Sequence, residues 1–371
     1  MIKIIGIGIV AFLLLVLEQR IYRRLWSKGL YVTIHFKKDS VFEGEAGSLL
    51  EIVENRKRLP LSMLKVKFQT NRNLVFEAGD GSRTTDQYYR NDVFQIGGGE
   101  KVTRTLSYTG GKRGYYSIES CDLVASDLFL TSQMVQTLSV KTSVYVYPKP
   151  FDSREFRRSL QQLNGEILTK RHLLEDPFEY RGIREYQTFD NMKSINWKAT
   201  AKTGDLKVNQ KNYTSLKAVR IFLNLEDSGI LKKTDCVEQS LRVAAGLCEY
   251  FLGQGMQVSC HGNSLDKLTR EPLSLEASAG SGQMTAIYRA LARTNVEDVS
   301  PFVGLLQDKL LHEAEGTMTC IVSPNQYEDF VALLTQYQDA GQEYTWFYPV
   351  WESTDPKLPE KLASHIQILH I

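Results

Sequence analysis

One short stretch of the chain concentrates side chains suited to ion pairing, stacking and proton transfer. Residues 179–208 read EYRGIREYQTFDNMKSINWKATAKTGDLKV, in which basic, acidic and aromatic residues alternate without a helical or strand period. Arginine forms bidentate pairs with carboxylates, and arginine and tryptophan are enriched where proteins bind each other most tightly. The acids nearly balance the bases, whereas nucleic-acid binding depends on unpaired positive charge. The stretch therefore predicts an ion-paired structural element, a protein-docking surface, or both.

Other catalytic patterns in the chain are incomplete. Cys260 and His261 are neighbours on one predicted strand, so their side chains point to opposite faces and cannot act as a pair. The glycine-rich run ASAGSGQ at 277–283 lacks the Gly-Lys-Ser/Thr ending of a phosphate loop, and Ser281 predicts a helix cap instead. No two of the five cysteines form a C-x-x-C pair. We therefore predict a non-enzymatic protein without a cofactor, and a hydrolase is the least favoured alternative.

The N-terminus has the properties of a membrane anchor. The 371-residue chain carries a formal net charge of only +2, but its apolar residues are concentrated in an uninterrupted run from Ile4 to Leu17. Three arginines follow the run, and no cleavage pattern of a signal peptide is present. These features predict a single transmembrane anchor over 1–26, and the positive-inside rule places 27–371 in the cytoplasm.

The remaining chain shows two different patterns of periodicity. Residues 27–150 alternate polar and apolar side chains between glycine-rich turns, which predicts a β-sandwich with a hairpin at GGKRG (110–114). Residues 216–371 alternate apolar strands with helical segments, which predicts a doubly wound α/β domain. The predicted helices cover 235–252, 283–294, 301–315 and 327–340, and the first has Asp235 and Glu238 at the spacing of a capping box. Between the two domains, 151–215 contains a predicted helix at 153–163 and the charged stretch.

The charged stretch carries the motif of a known family. An acidic–aromatic pair is followed by Gly-x-Arg-Glu-Tyr, an Asp, a basic residue, Ile-Asn-Trp and Ala-Lys-Thr. In these features the chain resembles the bacterial membrane proteins known as domain of unknown function 58, although that family has Asp at the position of Asn196 and Arg at the position of Lys202. The motif positions are Glu179, Gly182, Arg184, Glu185, Tyr186, Asp190, Lys193, Trp197 and Lys202.

The resemblance implies a fold and a partner. It implies that 216–371 is similar to von Willebrand factor A domains, and that the protein acts with a MoxR-type AAA+ ATPase. A signature that links two domains favours the structural interpretation of the motif, in which Arg184 pairs with Glu185 or Asp190. Tyr186 and Trp197 would then fill a domain junction. In the docking interpretation, the same arginine and tryptophan contact a partner.

The resemblance also implies where a metal would bind. A von Willebrand factor A domain holds its ion with Asp-x-Ser-x-Ser after the first strand and an Asp from a later loop. Here Glu226 and Ser228 occupy the first two positions, but Ile230 replaces the third, and Ser-Pro-Asn follows the later strand TCIV. We therefore predict a degenerate site without metal.

The sequence as a whole thus predicts a membrane-anchored scaffold or adaptor that binds protein. A metal-dependent adhesion or ligand-binding module is the alternative. Neither a nucleic acid nor a small-molecule substrate is indicated.

Overall fold

The chain divides into two compact units, Met1–Lys149 and Pro150–Ile371. The first consists of a helix and β-strands, and the second mixes strands and helices. A computed structural model describes residues 2–77, 83–84, 87–173, 175–187, 192–213, 218–227, 233–310, 317–352, 356 and 358–371.

The first unit begins with helix α1 (Ile2–Leu25). Within the described residues, its segment Lys3–Leu25 is the one helix long and apolar enough to cross a membrane, and almost all of its apolar side chains are exposed. The last turn is different. Tyr22 and the following Trp26 are buried in the core of the β-strands, and the Tyr22 hydroxyl donates to the carbonyl of Pro60 at 3.1 Å. The helix therefore ends inside the fold of its own unit.

The described strands of the first unit form two sheets that share one core. The four-stranded sheet has the order β1-β3-β8-β5, and the six-stranded sheet has the order β2-β10-β9-β4-β7-β6. Alternate residues are buried along β3, as expected for a sheet with one face on a core. This arrangement confirms the predicted β-sandwich. The strands are β1 (Leu30–Phe36), β2 (Ser40–Phe42), β3 (Ala46–Asn55), β4 (Leu61–Asn71), β5 (Leu74–Phe76), β6 (Arg83–Thr84), β7 (Gln87–Ile96), β8 (Lys101–Gly110), β9 (Gly114–Ser126) and β10 (Gln133–Tyr147).

The predicted hairpin at 110–114 is wrong. Strands β8 and β9 flank this turn, but β8 belongs to the four-stranded sheet and β9 to the six-stranded sheet. The turn therefore carries the chain from one sheet to the other. Glycine and alternation predict a tight reversal, but they do not distinguish a hairpin from such a crossover.

The second unit opens with helix α2 (Arg154–Leu173), which extends ten residues beyond its predicted end. Strand β11 (Glu175–Glu185) follows, then helix α3 (Trp197–Thr203) and strand β12 (Lys207–Tyr213). Strands β11 and β12 pair antiparallel in a two-stranded sheet that contains both ends of the charged stretch.

The rest of the second unit is a seven-stranded sheet with helices. The strand order is β15-β14-β13-β17-β18-β19, with β16 paired to β14. Strands β14, β13, β17, β18 and β19 are parallel, which confirms the predicted α/β class. The elements are β13 (Ala218–Leu223), α4 (Thr234–Gly253), β14 (Gln257–Asp266), β15 (Pro272–Ser278), α5 (Ser281–Arg293), β16 (Thr294–Val299), α6 (Phe302–Leu310), β17 (Thr317–Val322), α7 (Glu328–Asp339), β18 (Tyr344–Val350) and β19 (Ile366–His370).

Helices cover both faces of this sheet. Ile221 is level with Cys260 and Cys320 on the neighbouring strands, so these side chains share the face that meets Cys248 of α4. The next residue, Phe222, points the other way into a core built with α6 and α7. The sheet is therefore doubly wound, as its apolar strands predict.

Two predicted helix caps are wrong. Helix α4 has Lys233 at its N-cap without a side-chain hydrogen bond, and Asp235 lies inside the first turn. The carboxylate of Asp227 accepts from the Lys233 amide at 2.8 Å, so the loop before the helix satisfies this donor. Ser281 is the first residue of α5, and Gly280 precedes it with a φ of +88° that favours glycine.

Candidate functional site

The charged stretch has no sequence period because its strands pair irregularly. The register of β11 against β12 shifts on both sides of Tyr180, and regular pairing begins only at Gly182. On the other edge of β12, Ile195 forms a bridge to Val208, and both side chains are buried. A buried pair at the centre with irregular pairing around it produces neither the 3.6-residue period of a helix nor the two-residue period of a strand.

Asn196 attaches helix α3 to this small sheet. Its side-chain oxygen accepts from the Ala199 amide at 3.0 Å, which caps the helix, and its Nδ2 donates to Oδ1 of Asn209 at 2.6 Å. Its backbone amide donates to the carbonyl of Lys207 at 2.8 Å. Asparagine caps a helix as well as aspartate does. This role was not predicted, although Asn directly before a short helix is the signal of a cap.

The structure places Trp197 on the surface. Its side chain is 64% exposed at the first position of α3. The ring is therefore not part of the core of the second unit, and its predicted place in a junction between the domains stays a prediction. Ile183, Met192 and Leu206 are also exposed on the same substructure. Four large apolar side chains thus face solvent within one short segment.

The described ion pair of Glu185 is with Lys207, and the predicted pair of Arg184 with Asp190 falls on a residue outside the described ones. The carboxylate of Glu185 lies 3.1 Å from Lys207 Nζ across the strand pair, and the half-buried Arg184 donates to the backbone carbonyl of Glu185 at 3.1 Å. Tyr186 is half-buried, and its amide donates to the carbonyl of Leu206. Cross-strand register decides the partner of Glu185, because residues directly opposite each other lie closest.

The other motif residues are distributed over the same substructure. Gly182 is exposed and has open space where a Cβ would lie, so neighbouring atoms do not demand glycine there. Lys193 and Lys202 are exposed, as is Lys198 on α3. Glu179 lies on β11, but its side chain is outside the described residues, and Asp190 is outside them altogether. The described part of the motif combines apolar and basic side chains on a surface.

A second candidate site lies at the carboxyl ends of β13 and β17. The strand order reverses between these two strands, and ligands of doubly wound proteins bind at such a reversal. A buried network of polar, uncharged side chains occupies this position. Asn224 Nδ2 donates to Ser323 Oγ at 3.0 Å, and Asn263 Oδ1 accepts from the Leu225 amide at 2.9 Å. The members are Asn224, Asn263, Ser323 and Asn325.

Neighbouring backbone groups satisfy the rest of this network. Asn325 Nδ2 donates to the carbonyl of Glu226, Asn263 Nδ2 donates to the carbonyl of Ser300 at 2.9 Å, and Trp346 Nε1 donates to the carbonyl of Ser323 at 3.1 Å. The crevice is therefore occupied by groups that already have partners. This role of the asparagines was not predicted, although Asn224 directly follows β13.

Of the predicted metal positions, Glu226 adjoins the network, because its carbonyl accepts from Asn325 Nδ2. Glu226 is half-buried, and burial raises the pKa of its carboxyl, with a smaller contribution from the charge of Asp329. Ser228 and Ile230 lie outside the described residues. Across the part of the chain that the structure describes, no group of three or more His, Cys, Asp or Glu side chains is arranged to hold a metal. The described oxygens are mostly neutral amides and hydroxyls, whereas a hard divalent cation favours carboxylates.

The Cys260–His261 pair is divided between the two faces of the sheet, as predicted. His261 is buried beside Phe222, its Nδ1 lies 2.9 Å from Ser274 Oγ, and burial lowers its pKa to about 4. A base with so low a pKa is a poor proton acceptor near neutral pH. Its environment is that of a core histidine.

Comparison with known proteins yields weak structural likenesses. No family model and no curated protein matches the chain. The CARDB domain of a Pyrococcus furiosus protein is similar with 18% identity over 31% of this chain and 90% of that chain, at a TM-score of 0.20. The sixth cohesin of Acetivibrio cellulolyticus scaffoldin B is similar with 11% identity over 32% of this chain and 99% of that chain, at a TM-score of 0.23. The Bacillus subtilis sporulation control protein Spo0M is similar with 11% identity over 43% of this chain and 58% of that chain, at a TM-score of 0.18. Likenesses at these scores do not support an inference about function.

Proposed function

We propose that the chain is a membrane-anchored, non-enzymatic adaptor that binds another protein through its charged stretch. The anchor is α1, and the positive-inside rule orients the two units toward the cytoplasm. The motif of the stretch supports membership of the domain of unknown function 58 family. The reversal of strand order between β13 and β17 supports a von Willebrand factor A-like second unit.

The exposure of Trp197 carries the proposal. A tryptophan that is 64% exposed gains little from the fold, whereas tryptophan is enriched among residues that dominate binding energy. Helix α3 holds it in a fixed position, because the cap at Asn196 and the hydrogen bond from the Lys207 amide to Thr200 Oγ1 at 3.0 Å attach the helix to β12. A rigid anchor residue loses little conformational freedom on binding.

The charge around Trp197 indicates the kind of partner. Lys198 and Lys202 lie one turn apart on α3, and both are exposed. Lysines around an exposed aromatic ring fit an acidic surface with an apolar pocket. We take this partner to be a MoxR-type AAA+ ATPase, as the family resemblance implies.

The network at the strand reversal supports a role without metal chemistry. Its buried amides and hydroxyls already have hydrogen-bond partners, so an incoming ion would have to displace these bonds. The proposal therefore places binding at the charged stretch and assigns the strand reversal a structural role.

The experiment compares two tryptophans of the same unit. Trp351 is also exposed, and Trp351→Ala serves as the matched control for Trp197→Ala. The full chain in detergent is tested for binding to the purified MoxR-type ATPase from the same genome, and its melting is measured in parallel. Trp197→Ala should weaken binding by about 30-fold or more, which corresponds to a hot-spot loss of about 2 kcal/mol. Its melting temperature should not change, and Trp351→Ala should change neither quantity.

Three results would contradict parts of this proposal. Unchanged binding with Trp197→Ala would exclude the charged stretch as the docking surface. A lower melting temperature would restore the structural interpretation of Trp197. If the native chain does not bind the ATPase, the proposed identity of the partner is wrong.

A further inference from the structure

The loop between β9 and β10 carries three consecutive exposed apolar side chains. Leu128, Phe129 and Leu130 are 49%, 57% and 54% exposed. In a soluble loop, such a run would face water without any compensating contact. Leu130 also has a φ of +60°, a conformation that non-glycine residues rarely adopt. The surrounding structure therefore maintains the loop in a strained conformation that leaves its apolar side chains exposed.

Asp127 maintains this conformation. Its carboxylate is buried and accepts hydrogen bonds from the amides of Thr131 and Ser132 and from the hydroxyls of the same two residues. The Leu130 amide donates to the carbonyl of Asp127 at 3.2 Å. The buried carboxylate at the start of the loop thus binds the two residues at its end, which makes the tip rigid.

The loop contacts α1 where the apolar run of that helix ends. The Leu128 amide donates to Glu18 Oε1 at 2.8 Å, and Gln19 Nε2 donates to Thr131 Oγ1 at 2.9 Å. Glu18 directly follows Leu17, the last residue of the run. Each helical residue adds about 1.5 Å along the axis, so these contacts lie within about 3 Å of the end of the run.

The position of these contacts fixes the loop at the boundary of a bilayer. The fourteen residues 4–17 span about 21 Å as a helix, less than the roughly 30 Å hydrocarbon core. A span this short brings the groups that follow it to the membrane surface. The loop cannot move away from this level, because Tyr22 and Trp26 embed the end of the same helix in the sandwich core.

We infer that Leu128, Phe129 and Leu130 insert into the interfacial layer of the bilayer beside α1, and form a second, non-helical membrane contact. The inference rests on the proposed membrane anchor. The occupant is lipid, because a protein partner at this level would have to lie within the headgroup layer. Exposed arginines follow on the next turn of α1, where they meet anionic headgroups. Apolar side chains at this depth add to the hydrophobic attachment of the helix.

The test measures the depth of one side chain in the full chain. Phe129→Cys is spin-labelled and reconstituted into vesicles of phosphatidylethanolamine and phosphatidylglycerol. Collisions with oxygen, which concentrates in lipid, are compared with collisions with a nickel chelate, which stays in water. Val75→Cys is the matched control, since Val75 is apolar, 55% exposed and pairs near the other end of the sandwich. Leu14→Cys reports on the anchor itself, and the native chain, whose cysteines are all buried, gives the background.

Each outcome distinguishes the loop from the anchor. We expect the labels at 129 and 14 to collide more with oxygen than with nickel, and the label at 75 to show the reverse. If 14 is in lipid while 129 matches the aqueous profile of 75, the loop inference is wrong and the anchor stands. If 14 is also aqueous, the anchor and the inference both fail.

Discussion

A buried carboxylate of the β-sandwich allows a quantitative test of its electrostatics. Glu51 on β3 is completely buried, opposite Asp92 on β7 of the other sheet. Arg90 Nε lies 2.6 Å from one oxygen of Asp92, and Arg104 Nη1 lies 2.8 Å from the other. Both arginines therefore bind Asp92, and among the described residues neither oxygen of Glu51 has a partner of its own. Burial and the charge of Asp92 raise the pKa of Glu51 from 4.5 to about 8.

This pKa makes the stability of the first unit fall as the pH rises. Below pH 4.5 the carboxyl is protonated in both states. Between pH 4.5 and about 8 the unfolded chain has lost a proton that the folded chain retains, so the free energy of unfolding decreases. At pH 7 the pH lies 2.5 units above the unfolded pKa of 4.5. At about 1.36 kcal/mol per unit, the free energy of unfolding is lower there by at most about 3 kcal/mol. Above pH 8 the loss is complete.

Glu51→Gln should remove this loss, because the amide has the shape of the protonated carboxyl and no charge. We expect the variant to be more stable than the native chain by up to about 3 kcal/mol at pH 7 and by little at pH 5. Hydrogen exchange of peptides from β3 and β8, read by mass spectrometry, reports on this unit separately. Dividing the exchange rate of the variant by that of the native chain at the same pH cancels the intrinsic pH dependence of exchange.

The control is Glu54→Gln on the same strand. Glu54 points to the solvent side and pairs with Arg56 at 2.7 Å, so its neutralisation should give a ratio near one at all pH values. The reasoning is refuted if Glu51→Gln slows exchange equally at pH 5 and pH 7, or if it destabilises the unit at pH 7.

The other predictions concern protonation, thiols, metal and topology. The folded pKa of His261 is about 4, so the second unit should lose stability as pH falls from 6.5 toward 4, and His261→Gln should flatten this dependence in hydrogen exchange of β14. All five cysteines are buried, and an aromatic disulfide reagent should react with them only after denaturation. Calorimetry with Mg²⁺ should show no saturable heat, and a stoichiometric isotherm that depends on Glu226 would support the metal-dependent alternative. A membrane-impermeant maleimide should label Lys112→Cys only after cell lysis; labelling of intact cells would overturn the cytoplasmic orientation.

Regular elements could be predicted from the sequence because burial of apolar side chains dominates the stability of each one. The alternation along β3 and the apolar run of β13 reflect burial on one face or on two, and both strands form as expected. Strand β16 was not predicted, because it pairs with β14 only through an irregular register. Strand β19 was also missed, since only two of its five residues are fully buried. Short edge strands gain their stability from a neighbour that the local sequence does not reveal.

The candidate site was predicted by residue type but not by geometry. Arginine, tryptophan and carboxylates indicate interaction, and the sequence alone favoured their burial over their exposure. The direction of Trp197 depends on Asn196 and on the bond of that residue to Asn209, thirteen positions away. The partner of Glu185 depends on the register between β11 and β12. Contacts between distant residues decide such questions, and periodicity does not report them.

The embedding of Tyr22 and Trp26 in the sandwich has a mechanical consequence. A flexible linker would let the first unit rotate freely above the membrane, but here the helix and the sandwich share side chains of one core. Lys57 Nζ adds a hydrogen bond to the carbonyl of Trp26 at 2.6 Å. In the proposed adaptor, a partner that pulls on the first unit therefore transmits its force directly to α1, and a change in the tilt of α1 turns the unit with it. The proposed anchor is thus rigidly coupled to the β-sandwich.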